Sequence, residues 1–127
     1  MPDVVIDASV LLVLLNSEPG ADKVAGAIPG AAISALNLSE VVGKLCSAGL
    51  PGKSIRQALL GLGLEVVSFD EEQAYEAGML RTATDGAGLS LGDRGCLGLA
   101  RKLGLPALTA DRSWLKLSAG ITVRVIR

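Results

Sequence analysis

No histidine occurs among the 127 residues. That absence removes Ser-His-Asp and Cys-His machinery, imidazole bases and histidine-ligated zinc. Acid–base or metal chemistry must therefore run on carboxylates, lysine, cysteine or tyrosine. Aromatic residues are nearly as scarce, at 2%, supplied by Phe69, Tyr75 and Trp114. The core has to be built from Leu, Val, Ile and Ala, and any nucleic-acid partner would be gripped by backbone and shape more than by stacked bases. The two cysteines, Cys46 and Cys96, are far apart and form no CxxC pair. Each falls in a helical apolar pattern, so both are expected as small buried hydrophobes in a reducing compartment. Long apolar runs are missing too. Leu11 to Leu15 is too short to span a bilayer, and no basic region precedes it. The expectation is a cytoplasmic chain without a membrane partner. Net charge is nearly absent as well, because 12 basic and 13 acidic residues leave a formal balance of −1.

What is present is an alternation of strand and helix patterns. Half of the residues are hydrophobic, and the length suits one domain, residues 1–127, with a core of its own. VVIDAS opens with a buried apolar strand ending in Asp7. SVLLVLLN and ADKVAGAI read as helices, separated by Glu18-Pro19-Gly20. AAISAL is a second strand. Asn37 then reads as the N-cap of the helix NLSEVVGKLCSAG, and KSIRQALLGLG follows with Ile55, Leu59 and Leu62 on one face. LEVVSF is a third strand, and Asp70 caps EEQAYEAGMLRTA. After the loop TDGAG, Ser90 starts the helix LGDRGCLGLARKLG. PALTAD is a fourth strand ending in Asp111, a short helix runs through Trp114 and Leu117, and TVRVI alternates as a terminal edge strand. The pattern predicts an α/β fold with a mainly parallel sheet of four to five strands flanked by helices.

In such a sheet, ligands bind beyond the carboxyl ends of the strands. Asp7 and Asp111 fall at two of those ends. Glu40 and Asp93 fall in the first turn of helices that begin on the same edge. Four carboxylates from distant segments are thus predicted to converge on one rim, and hard divalent cations such as Mg²⁺ or Mn²⁺ take oxygen ligands of that kind. Each acid also has a purely structural reading. Asp7 could cap the first helix. Glu40 completes a capping-box spacing with Asn37 and could pair with Lys44 four residues on. Asp93 makes the same spacing with Ser90, although it borders the apolar stripe of Leu97 and Ala100 beside Cys96. Asp111 could close an Asx-turn. Ser9 and Thr109, each two residues from an acid, could hold a carboxylate, a water or a phosphate oxygen. Arg94 and Arg112 directly follow two acids and could meet phosphate bidentately.

Three stretches carry a family resemblance: VVIDASVLLVLL, SALNLSEVVGKL and LSLGDRGCLGLARKLGLPALTADRSW. The last is the most specific, with Asp, Cys, Thr-x-Asp and Trp in the family's order and spacing. The chain resembles PIN domains, and more narrowly the VapC toxins of bacterial and archaeal toxin–antitoxin pairs. The resemblance implies a Mg²⁺- or Mn²⁺-dependent endoribonuclease, a homodimer, and a cognate antitoxin that covers the active-site groove. It places the family's acids on Asp7, Glu40, Asp93 and Asp111 and its hydroxyls on Ser9 and Thr109. Gly92 departs from the pattern, because a larger residue is usual before that Asp. The departure is expected to loosen the helix start and leave the acid set intact. Two other readings remain open within the fold: a PIN nuclease of RNA processing, and a binding module without activity. A strand-terminal Asp also opens haloacid-dehalogenase-like phosphatases, but those carry a second Asp two residues on, where this chain has Ser9.

Overall fold

The computed structural model describes residues 1–117 and 120–127. Five short strands form one sheet: β1 (Val4–Ile6), β2 (Ala31–Ser34), β3 (Glu65–Val67), β4 (Ala107–Thr109) and β5 (Val123–Val125). They lie side by side in the order β3-β2-β1-β4-β5, and every pairing is parallel. The α/β expectation holds, and TVRVI is an edge strand as its alternation predicts. All three residues of β1 and all four of β2 are buried, as strands covered on both faces require.

Period-two alternation then splits the interior into two cores. Val4 and Ile6 of β1 and Ile33 of β2 face one core, with Val10, Leu11, Val24, Val41 and Ile55 from α1 (Ala8–Leu15), α2 (Ala21–Ala27), α3 (Ala35–Ser47) and α4 (Gly52–Leu60). Val5 and Ala32 face the other, with Leu80 of α5 (Glu71–Ala83), Cys96, Leu97 and Leu99 of α6 (Leu91–Leu103), and Trp114. Each such fully buried aliphatic side chain contributes about 1.5–3 kcal/mol of transfer free energy. The buried side of α6 carries three glycines, Gly92, Gly95 and Gly98. A Cβ on Gly95 would lie 2.8 Å from Leu36 Cδ2, so a larger residue there would require the Leu36 side chain to shift.

Several local expectations are corrected. The helix α3 begins at Ala35, not after Asn37, because Ser34 is its N-cap and accepts from the Leu36 amide at 3.2 Å. Ala35 and Leu36 are strong helix formers and leave the strand as soon as that cap is available. Glu40 therefore sits in the second turn rather than the first. Cys46 is exposed on α3, whereas Cys96 is fully buried. The strand β4 ends at Thr109, and Asp111 lies two residues beyond it as the cap of a 3₁₀ turn, Arg112–Lys116.

Candidate functional site

The strand order reverses at β1. The chain fills one side of the sheet with β2 and β3, then crosses to the other side for β4 and β5. The carboxyl ends of β1 and β4 therefore flank a crevice of the kind that binds ligands in open α/β sheets. Asp7 follows the last residue of β1, and Thr109 is the last residue of β4. Their side chains meet across the crevice, the Thr109 hydroxyl donating to Asp7 Oδ2 at 2.7 Å. The other oxygen, Oδ1, accepts from the Ser9 hydroxyl at 2.6 Å and from the Val10 amide at 3.0 Å. Asp7 thus caps α1 while standing at the floor of the crevice.

The hydroxyls are themselves tied down. Ser9 Oγ accepts from the Ala110 amide at 3.1 Å, and Thr109 Oγ1 accepts from the Asp111 amide at 3.1 Å. Each backbone amide occupies one lone pair of its hydroxyl, and the hydroxyl hydrogen is left to face Asp7. Only 4% of the Asp7 surface is exposed and none of Thr109, so the carboxylate depends on these donors for the solvation it has lost. Replacing Thr109 by valine, which keeps the shape, is expected to cost about 2 kcal/mol at neutral pH. The loss should shrink in acid, where a protonated Asp7 no longer needs that donor. Urea unfolding at two pH values would show it, and a loss that is the same at both would speak against an ionised Asp7.

A second carboxylate acts on Asp7, and a third feels both. Burial raises the Asp7 pKa most strongly, the bonds from Ser9, Thr109 and Val10 oppose this, and the Asp93 charge raises it further. Glu40 is likewise raised, first by loss of solvent, then by Asp93 and Asp7, against the bond from Asn37 and the charge of Lys44. The thiol of Cys96 is pushed up by burial and by the charges of Asp7, Asp93 and Glu40. Three acids from β1, α3 and α6 are therefore brought within electrostatic reach of one another. Asp93 also closes a capping box with Ser90: its Oδ2 accepts from the Ser90 amide at 3.0 Å, and its own amide donates to Ser90 Oγ at 3.1 Å.

The remaining sequence-derived residues are placed differently. Asp111 is exposed, and its Oδ1 accepts from the Ser113 amide at 2.9 Å and hydroxyl at 2.7 Å, the Asx arrangement. Its backbone touches the cluster through Thr109 while its carboxylate stands at the rim. Arg94 donates to the Ala77 carbonyl on α5 at 2.9 Å, and Arg112 donates to the Arg127 carbonyl at 2.9 Å. Neither arginine is among the charges acting on Asp7 or Glu40.

Asn37 and Gly92 belong to the site in ways their sequence positions did not announce. The Asn37 amide donates to Glu40 Oε1 at 2.9 Å and to the Gly92 carbonyl at 3.0 Å. The available signal was periodicity, since Asn37, Val41 and Leu45 form one buried stripe of α3, and a polar residue in such a stripe needs partners. Gly92 does not loosen the start of α6. The Glu40 carboxylate occupies the space where a side chain at 92 would be, with Oε2 2.6 Å from an idealised Cβ.

The donor set suits a hard divalent cation: oxygen ligands, net negative, mutually repelling, with Lys44 as the one positive charge acting on Glu40. Among the described residues no three acids form a ready-made cage around one ion. Mg²⁺ in particular is often held by one or two carboxylates with waters completing its shell, so the set fits without further convergence.

A three-layer parallel α/β domain with an acid-lined crevice at the reversal of strand order is the class that fold and site define. The PIN domain family model matches residues 4–119, and the chain belongs to that family. No curated protein sequence matches the chain. Solved structures do. DNA-bound VapBC from Salmonella typhimurium superposes over 100% of both chains with a TM-score of 0.78 at 19% identity. A toxin–antitoxin complex from Klebsiella pneumoniae covers 98% of both chains with a TM-score of 0.75 at 20% identity. VapC20 of Mycobacterium tuberculosis, a toxin that cleaves the sarcin–ricin loop, covers 94% of this chain and 97% of its own, with a TM-score of 0.72 at 14% identity. At such identities the likeness is one of fold. No helix among the described residues is long and apolar enough to cross a membrane.

Proposed function

We propose that this chain is a divalent-metal-dependent endoribonuclease and the toxin of a toxin–antitoxin pair. The observation that carries the nuclease reading is the mutual repulsion of Asp7, Glu40 and Asp93 at the crevice. Such an arrangement is unfavourable alone and becomes favourable around a cation. Asp7 and Asp93 would hold Mg²⁺ or Mn²⁺ directly, and Glu40 and Asp111 would bind a second ion or act through water. A bound ion supplies polarisation of a phosphoryl oxygen and a lowered pKa for water at neutral pH. The residues of the chain do the rest. Ser9, Thr109 and the Val10 amide keep the Asp7 carboxylate in one orientation, ready without reorganisation. Glu40, held by the Asn37 amide at the crevice, is suited to receive the proton of an attacking water. Attack at phosphorus would form the water O–P bond and break the bond to the 3′ oxygen, which takes a proton from solvent, leaving a 5′ phosphate and a 3′ hydroxyl.

RNA as substrate rests on the family and on the fold shared with a toxin that cleaves the sarcin–ricin loop. The partner rests on the neighbours described as toxin–antitoxin complexes. An open apolar groove of about 360 Å³ between α3, α4 and β3, lined by Leu38, Val42, Ile55, Leu59, Leu60 and Val66, suits the apolar face of an antitoxin helix. Tyr75 and Met79, exposed on α5, suit a homodimer contact. The test is cleavage of structured RNAs by the purified chain in Mg²⁺ or Mn²⁺, with end analysis of the products. Co-expression with the product of a small adjacent gene is expected to give a silent complex containing two copies of this chain. Full activity in chelator, or a 2′,3′-cyclic phosphate end, would overturn the mechanism. An active nuclease that no adjacent gene product silences would favour RNA processing over a toxin.

A further inference from the structure

We propose that Asn37 is a positioning residue whose amide, together with the space left by Gly92, clamps the Glu40 carboxylate onto the first turn of α6 beside Asp93. The inference rests on the reading of these acids as a metal site.

The orientation of the Asn37 amide is fixed by chemistry. Its two neighbours, the Glu40 carboxylate and the Gly92 carbonyl, are acceptors only, so the NH₂ group must face them, one hydrogen to each. Only 1% of Asn37 is exposed, so water does not compete for these bonds. The second acceptor is the backbone of the residue immediately before Asp93. One side chain on α3 therefore sets the distance between two acids carried by different helices.

Two features mark this as more than packing. First, Asn37 Oδ1 is buried with no protein donor. The surrounding stripe of Val41 and Leu45 would accept an apolar residue without that penalty. Stability alone gives no reason for asparagine here. Second, Gly92 has no Cβ where one would overlap Glu40 Oε1. The obstructing atoms are the end of a flexible side chain, so a Cβ at 92 would displace the Glu40 carboxylate and leave the helix intact. Amide and glycine act on the same carboxylate from two sides.

The experiment is calorimetric Mn²⁺ titration of wild type, Asn37→Ala, Gly92→Ala, Glu40→Ala, and each of the first two combined with Glu40→Ala, with melting curves as a fold control. Outer partners of ligating groups typically contribute 10- to 100-fold in metal affinity. Asn37→Ala and Gly92→Ala are each expected to weaken Mn²⁺ binding by roughly that factor, and to add nothing further once Glu40 is alanine. If either weakens binding as much in the Glu40→Ala background, or neither weakens it at all, the clamp is wrong although the metal site stands. If Asn37→Ala fails to fold, Gly92→Ala alone decides. A wild type that binds no Mn²⁺ overturns the metal reading itself, and the clamp with it.

Discussion

Replacing Asp7 by asparagine is expected to reduce RNA cleavage on the order of 10³-fold while leaving the fold at least as stable as before. The first half follows from where Asp7 sits. It is the one acid whose two oxygens are both held by fixed donors at the crevice floor, from Ser9, Val10 and Thr109. Losing a direct ligand removes several kcal/mol of charge stabilisation in the transition state, and about 4 kcal/mol corresponds to three decades in rate. The second half follows from burial. The Asp7 carboxyl is held above its ordinary pKa, chiefly by desolvation, so its ionised form destabilises the folded chain at neutral pH. Asparagine has the same shape and no charge. Its Oδ1 can accept from Ser9 and Val10, and the Thr109 hydroxyl can rotate to accept from its NH₂. Cleavage assays and urea melts on the same preparation check both halves. Activity that survives the substitution would point to a different site, and lost activity through unfolding would show that the negative charge was structural.

The order of strands and helices was readable because it depends on local signals. Apolar runs of four to six residues, Asp70 and Ser90 as caps, and glycine–proline breaks all act within a few residues of where they stand. The partnership of Asp7 with Thr109 spans 102 residues, and it could be anticipated only from the rule that strands end on a common edge. Where local signals competed, the sequence misled. Asn37 has the spacing of a cap with Glu40, but Ser34 stands where β2 ends and takes that role first. Asn37 is then carried one turn inward, from a cap to a buried donor. Gly92 could not be interpreted from α6 alone, because what fills its missing side chain comes from α3. Arg94 and Arg112 directly follow two acids in sequence, and their guanidinium groups donate to the carbonyls of Ala77 and Arg127, contacts that no local signal announced.

Binding of Mn²⁺ is expected to raise the melting temperature, and the rise should grow with pH. At a hundredfold excess over its dissociation constant, a ligand of the folded state alone contributes about 2.7 kcal/mol. For a domain of this length that corresponds to roughly 8–12 °C. The pH dependence differs with and without the ion. In the free protein Asp7 and Glu40 are raised from ordinary values of 3.8 and 4.5, so the folded chain keeps protons that the unfolded chain has released. Their contribution is therefore most favourable below the unfolded values and is lost as pH rises through the folded ones. A cation reverses this by holding the same carboxylates ionised. With those protons gone, the loaded chain gains stability with pH only up to the unfolded values and is level above them, where the free protein still loses stability. Melting curves with and without Mn²⁺ should diverge as pH rises from the unfolded values through the folded ones and run parallel above them, and Asp7→Asn should abolish most of the divergence. A Mn²⁺ shift that is the same at every pH, or that persists in Asp7→Asn, would mean that the ion binds elsewhere and that these raised carboxylates are not its ligands.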